Sequence, residues 1–573
     1  MTIKLALLAT ALLGSTAAFA ANADTIYLGG TILTVDDKAP TAEAVAVKDG
    51  KIVAVGSRAA VHKAEHGPQT KIVDLKGRTL VPGFFDAHSH FTGVGLQAVS
   101  ANLLPPPDGP VSSIADLQRA MRDFIATSPE VKAWGVAIGF DYDDSQLAEK
   151  RHPTRQELDA ISTAIPIMVI HQSGHLGAFN SKALAMAGIT AASPNPPGGV
   201  IQREADGKTP NGVVEESALG LIAFKLIPKF TPAQVMAQID AAQKVYLENG
   251  FTTAQDGKTS AAFTQALIAA SQAKRLKLDI VEYADLVTMK DDPVLHGPYM
   301  SRTYTDHFRI GGVKLTLDGS PQGKTAWFTQ PYFVVPAGQK PDYAGYPAFA
   351  KPGETQGWVD MAFKNNWQLL AHANGDAAID QFIQTVGVAE KAYPGTDRRT
   401  VLIHGQFLRA DQIPLLKKEE IFPALFPMHT YYWGDWHASS VAGPTRAAFI
   451  SPTKAVLDAG MKFSIHSDAP VTFPNSMRIF DSAVNRTTRS GVVLGADQRI
   501  SPAVALKAMT LWPAWQHFED KTKGSIEVGK DADLVILSAN PLTVAPATIK
   551  DIKIDQTIKN GTTVFARDGA SGS

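Results

Sequence analysis

Apolar residues recur along this chain in two rhythms. Near both ends they form short β-type runs broken by turn residues. Residues 25–28 and 31–35 flank a Gly29-Gly30 turn, and residues 44–47 and 51–55 flank Asp49-Gly50, a strong hairpin signal. The C-terminal end has the same texture: a strand over 533–537, then 556–559 and 562–565 flanking Asn560-Gly561. One sheet unit can therefore draw on both termini. Between the ends, runs of strand length alternate with stretches of helical period. The pattern predicts strands at 84–88, 251–256, 278–284, 310–316, 367–372, 400–404, 421–427 and 462–467. The best-marked helix covers 232–249, with Thr231 as N-cap, Pro232 in the first turn and Gly250 closing it. Eight strands alternating with helices predict an α/β fold, a (β/α)8 barrel of the TIM type.

One interval breaks the rhythm. Residues 92–230 separate the first two strands and carry Pro-rich turns at Pro105-Pro106-Pro107 and 194–199. Insertions in barrels fall on the loop side that carries the site, so this stretch is expected to be a lid or substrate-shaping subdomain. The resulting plan is a barrel over 83–522 and a small composite β domain built from 21–82 and 523–573.

Composition narrows the function classes. With 573 residues, 45% of them hydrophobic and 19% charged, the chain can build two or three structural units with a large core. Its 54 basic and 55 acidic side chains leave a formal net charge of −1, which gives no support to nucleic-acid binding. Cysteine is absent, so disulfides, thiolate ligands and a cysteine nucleophile are excluded. Residues 1–20 read as a secretory signal: Lys4 is the single charge, 5–13 is an apolar run, and Ala18-Phe19-Ala20 fits a cleavage site. That run is too short to span a bilayer, and no later stretch approaches ~18 uninterrupted apolar residues. The expectation is a periplasmic or secreted protein beginning near Ala21, free of the membrane after cleavage.

Five segments carry candidate chemistry where strands end: Phe84 to His90 with its His88-Ser89-His90, Lys314, His372, His404, and Ile465-His466-Ser467-Asp468. Along a strand, positions i and i+2 share a face, so His88 and His90 can meet one ion. A barrel gathers all strand C-termini at one mouth, where residues far apart in sequence converge. Lys314 is the odd member, because an ammonium repels cations. Two roles reconcile it: a desolvated neutral amine, or an amine carboxylated by carbon dioxide into an anionic bridge. Each of these residues alone is equally well a hydrogen-bonded core or surface residue.

The order His-x-His, Lys, His, His, Asp resembles the amidohydrolase superfamily. The lead-in Leu80 to His88 and the tail Lys523 to Val535 are similar to that superfamily's entry into and return from its barrel. Gly174-His175, 180–184, 196–199, Lys314 to Ser320, His372 to Ala378 and Ser467 to Val471 resemble its family 3, YtcJ-like branch, which includes N-substituted formamide deformylases. The likeness runs from about residue 24 to 566. It implies a metal-bearing (β/α)8 barrel with a β-sandwich-like domain from both termini. It further implies that His88 and His90 bind a buried ion that Asp468 also contacts. Carboxylated Lys314 would bridge to a second ion on His372 and His404. Zinc suits a His/carboxylate site, with one or two divalent ions per chain. His466 stands where such relatives often carry glycine. Alternation with Ser467 along the strand predicts that it points outward.

The expected reaction is hydrolysis of a C–N bond in an amide or N-substituted formamide. Metal-activated water attacks, Asp468 carries the proton, and His175 steadies the carbonyl oxygen unless it is only a structural histidine. Trp327, Tyr431, Tyr432 and Trp433 are candidate substrate-lining aromatics or packing between lid and barrel. Arg486 and Arg489 are either carboxylate binders or part of a solvated helix face. A small-molecule substrate is the expected partner, and a homodimer remains open. Two alternatives keep the chain in other classes: a hydrolase of an ester, lactone or cyclic ureide at the same site, or a non-catalytic periplasmic small-molecule-binding or secretion-regulating protein.

Overall fold

The computed structural model describes residues 22–336 and 338–568. The expected export signal lies outside the described residues.

Eight parallel strands form the central sheet: β1 (Phe84–Phe85), β2 (Phe251–Thr259), β3 (Asp279–Asp285), β4 (Phe308–Thr316), β5 (Gln368–Ala373), β6 (Val401–His404), β7 (Phe422–Leu425) and β8 (Ser464–Ile465). They pair in chain order, each with the next. The two ends of the series meet just past β1 and β8. There Asp468 N–H donates to the His88 carbonyl and His90 N–H to that of Ala469. Helices such as Ala261–Gln272, Glu354–Lys364 and Asp376–Ala392 return the chain between strands. Strands covered on both faces need apolar side chains on both, which is why they read as near-continuous apolar runs. The first and last strands are shorter than the sequence suggests. The ladder stops early at both, and the residues beyond it turn to build the mouth.

The helix before β2, Pro232–Glu248, has the expected Thr231 cap. The Thr231 side chain accepts from Gln234 N–H while Gln234 reaches back to Thr231 N–H, a complete capping box.

The terminal strands form a second sheet that joins the two ends of the chain. Leu534–Leu537 pairs antiparallel with Thr79–Pro82. The Asp49-Gly50 and Asn560-Gly561 hairpins are both present, with all four residues at positive φ as a type I′ turn requires. Gly29-Gly30 is not a turn. Thr25–Leu33 runs through it as one strand with a register irregularity between Leu28 and Ile32. The glycines serve close approach instead: a Cβ on Gly29 would strike the Asp74 carboxylate, and one on Gly30 the Arg78 carbonyl.

The insertion is a third, six-stranded mixed sheet running in space from Gly199–Arg203 through Pro210–Glu216, Leu176–Phe179, Ile167–His171 and Ala137–Tyr142 to Ala101–Asn102. It has apolar clusters of its own on both faces.

A buried ionic network fastens the barrel to the terminal sheet. Asp279, at the start of β3, meets Lys523, Lys559 and His307; Lys559 also meets Asp533. Glu519 meets Arg309 and Lys523. Burial acts to raise Asp279 and Glu519, but the cations around them hold both below the usual carboxylate range, Glu519 at about 2.

Candidate metal centre

The mouth is assembled from imidazoles. His88 Nδ1 lies 2.5 Å from Gln255 Oε1 and His90 Nδ1 2.7 Å from the Gly257 carbonyl, both groups on β2. A carbonyl only accepts, so each Nδ1 carries a proton, and in the singly protonated ring Nε2 is the nitrogen left to present a lone pair. Both lone pairs point the same way: His88 Nε2 and His90 Nε2 are each 3.3 Å from Asp468 Oδ1. Across the mouth, His404 Nε2 is 3.1 Å from His372 Nδ1 and 3.9 Å from Asp468 Oδ2. The other nitrogen of His372 lies 3.2 Å from the Gly319 carbonyl and 3.1 Å from the Asn374 amide nitrogen. Burial first, then neighbouring imidazoles and Lys314, push His88, His372 and His404 well below the usual histidine range.

Lys314 is buried in β4, its Nζ 3.5 Å from His88 Nε2. Burial pulls its ammonium down to about 7, with Asp468 working the other way. Asp468 is raised by burial but held below its ordinary value by His90, His466 and Lys314. Its Oδ1 is buried with no hydrogen-bond partner. Asp468 and His404 both sit at positive φ, 56° and 72°. Such backbone is uncommon for non-glycine residues, though Asp and His adopt it more readily than most.

All six sequence-derived ligand candidates therefore converge, and the donor set fits a divalent cation. Imidazole nitrogens and a carboxylate oxygen without a hydrogen-bond partner face one another across the mouth. His175 converges as well, from the insertion. Its Nδ1 is 2.7 Å from Glu216 Oε2 and its ring centroid 5.2 Å from that of His372.

A model of the amidohydrolase family matches residues 71–565 of this chain. The chain belongs to that family. It is a hydrolase acting on carbon–nitrogen bonds. It is 26% identical over 560 residues to the N-substituted formamide deformylase of Arthrobacter pascens, covering 96% of this chain and 99% of that protein. It is equally 26% identical over 555 residues to the putative amidohydrolase YtcJ of Bacillus subtilis, covering 95% and 99%. Among solved structures, an uncharacterized metal-dependent hydrolase from Pyrococcus horikoshii superposes with a TM-score of 0.71 at 22% identity, covering 91% of this chain and 99% of that one. At that identity the likeness speaks for the fold.

Several residues of this amidohydrolase lie where the sequence pattern does not put them. His466 faces the mouth, not the outer layer: its ring lies 5.3 Å from that of His88 and 5.2 Å from that of His404, stacked on Phe426. Regular alternation ends with Ile465, the last residue of β8, so period-two reasoning does not extend to it. Arg486 is neither on a solvated face nor a carboxylate binder; it is wholly buried and donates to the carbonyls of Ile450, Ser451 and Leu494. Arg489 lies over the Tyr432 ring, and its guanidinium nitrogens are buried without hydrogen-bond partners.

Tyr432 and Trp433 are 1% and 0% exposed, with their polar tips on Asp108 and Asp143 of the insertion, so they offer no surface to a ligand. Tyr431 is half-buried under Arg478. Trp327 lines a cavity with Phe349, Gln381 and Val388 that none of the metal-site residues borders.

Three partners were not legible in sequence. Gln255 and Gly257 set the imidazole tautomers, and Glu216 orients His175. Asp318 takes N–H bonds from Trp327, Asn374 and Gly375 and lies 3.4 Å from His372 Nε2; it was visible only as part of the Lys314 to Ser320 motif.

A second His/Asp group, Asp144, His152 and His171, lies in the insertion, away from the mouth residues. Ser173 N–H donates to His171 Nδ1, which puts that ring's proton on Nε2, 2.9 Å from Asp144 Oδ1. The group is a carboxylate held by an N–H donor.

Proposed function

We propose that this protein is an exported, metal-dependent amidohydrolase that cleaves an N-substituted amide of formamide type. The convergence of the His88 and His90 lone pairs on Asp468 carries this reading. The near full-length likeness to an N-substituted formamide deformylase supports the substrate class. A divalent cation, zinc by the donor set, bound by His88, His90, His372, His404 and Asp468 would supply acidified water and polarise the substrate carbonyl.

The chain's own residues do the rest. Asp468, with one oxygen free of hydrogen bonds, takes the proton of the attacking water and passes it to the leaving nitrogen. His175, paired with Glu216 as an imidazolium, donates its second N–H to the carbonyl oxygen as negative charge builds there. Lys314 supports a two-ion arrangement if carboxylated, and its desolvated amine is the form that reacts with carbon dioxide. The signal-like leader supports export.

The test is metal content of the mature protein by plasma mass spectrometry, beside His88→Ala and Lys314→Ala, with hydrolysis of N-substituted formamides as the activity readout. About two ions per chain, reduced in both variants, supports the bridged site. One ion, lost in His88→Ala and kept in Lys314→Ala, assigns a one-ion enzyme in which Lys314 has another role. No metal after reconstitution, together with no hydrolysis, overturns the reading in favour of a binding protein. Turnover of esters or lactones but not formamides would keep the site and change the bond.

A further inference from the structure

We propose that His466 is a metal ligand, sharing a cation with His404 and Asp468. This rests on the metal-dependent reading above and adds a residue outside its six ligand positions.

The backbone explains how His466 reaches the site. Its N–H still donates to Leu425 at the end of β7, and two residues later Asp468 N–H donates to the His88 carbonyl. The chain crosses the mouth between those two bonds, which swings the His466 side chain inward. The ring ends 1% exposed, with Phe426 flat against it at 4.8 Å and the rings of His88 and His404 on its other sides.

Neither of its nitrogens has a hydrogen-bond partner. The Ala424 carbonyl is near but outside hydrogen-bond geometry. A buried imidazole left this way is costly, and a purely packing role at this position calls for an apolar ring. The titratable groups around it are His88, His90, His404, His429, Lys314 and Asp468. Against such neighbours, a cation satisfies a free imidazole nitrogen without requiring any of them to move away.

The donor atoms sort into two groups, His88 with His90 and Asp468, and His404 with His466 and Asp468. Within each, the ligand atoms lie within 4.8 Å of one another. Asp468 belongs to both, with Oδ1 nearer His88 and His90 and Oδ2 nearer His404. His372, 3.1 Å from His404, adjoins the second group. Two cation positions are thus completed by imidazole and carboxylate, and the second does not depend on carboxylation of Lys314. Nitrogen-rich coordination selects ions such as zinc or cobalt over magnesium or calcium.

The test is an anomalous-difference map of the zinc-loaded wild-type protein, paired with chelator-competition titrations of zinc into wild type and His466→Phe. That variant keeps an aromatic ring on Phe426 and removes both donors. The expected results are a zinc peak about 2.0–2.1 Å from a His466 nitrogen, and loss in His466→Phe of one ion per chain or at least tenfold weaker binding of it. Zinc bound at His88 and His90 with no peak at His466, or unchanged stoichiometry and affinity in the variant, overturns the proposal and leaves the hydrolase standing. Zinc absent from the wild-type mouth removes both. The wild-type map decides even if His466→Phe does not fold.

Discussion

His88 and His90 work because a second residue holds the proton on the far side of each ring. Gln255 does this for His88, and so it acts on the metal without touching it. Gln255→Ala is expected to weaken metal binding about 10–100-fold while the fold persists, read by chelator competition. Glu216 does the same for His175. Glu216→Gln keeps the shape but removes the carboxylate, so kcat is expected to fall with metal content unchanged. A loss of metal instead would mean that Glu216 shapes the site through Gly319 or Thr325, which it also approaches. Asp468→Asn is expected to lower kcat by about 10²–10⁴; full activity with metal bound would exclude Asp468 as the proton carrier.

At the scale of elements, β2 makes the clearest case. Its register shifts between Gly257 and Thr259, and Lys258 has φ 58°. This bulge turns the Gly257 carbonyl to His90 and brings the Gly257 backbone against His88. A Cβ at Gly257 would lie 2.7 Å from His88 Cε1. Gly257→Ala should therefore displace the His88 ring and cut metal content, with an unchanged far-ultraviolet circular dichroism spectrum. The capping box on Pro232–Glu248 gives the opposite expectation. Thr231→Ala is predicted to cost about 1 kcal/mol of stability in denaturant unfolding and leave metal content alone, because the cap is exposed.

Across the whole molecule, the Asp279–Lys523–Lys559 and Glu519–Arg309 network joins barrel and terminal sheet. Glu519 is depressed from 4.5 to about 2, so its contribution is complete above pH 4.5 and is lost as pH falls through about 2. Asp279, also depressed, acts in the same direction. The melting temperature is expected to drop within this acid window, and thermal scans across it in Glu519→Gln should show a flatter pH dependence. At neutral pH that substitution leaves Arg309 and Lys523 short of a counter-charge in the interior, so it should destabilise by about 3–5 kcal/mol.

The sequence by itself determined the element order. Apolar runs with period two or 3.6 mark what must be buried, and Asp-Gly and Asn-Gly mark turns by local φ preference alone. It also determined which residue types stand at the strand ends, and a barrel then brings His88, His90, Lys314, His372, His404 and Asp468 to one mouth. Only the tertiary structure decided where those strands stop, and with that the direction of His466, because side-chain alternation holds only while the ladder holds. It alone paired His175 with Glu216 and fixed the tautomers through Gln255 and Gly257. It also buried Tyr432, Trp433 and Arg486, which look available in one dimension. Those outcomes depend on which surfaces meet across long sequence separations, and no local pattern encodes that.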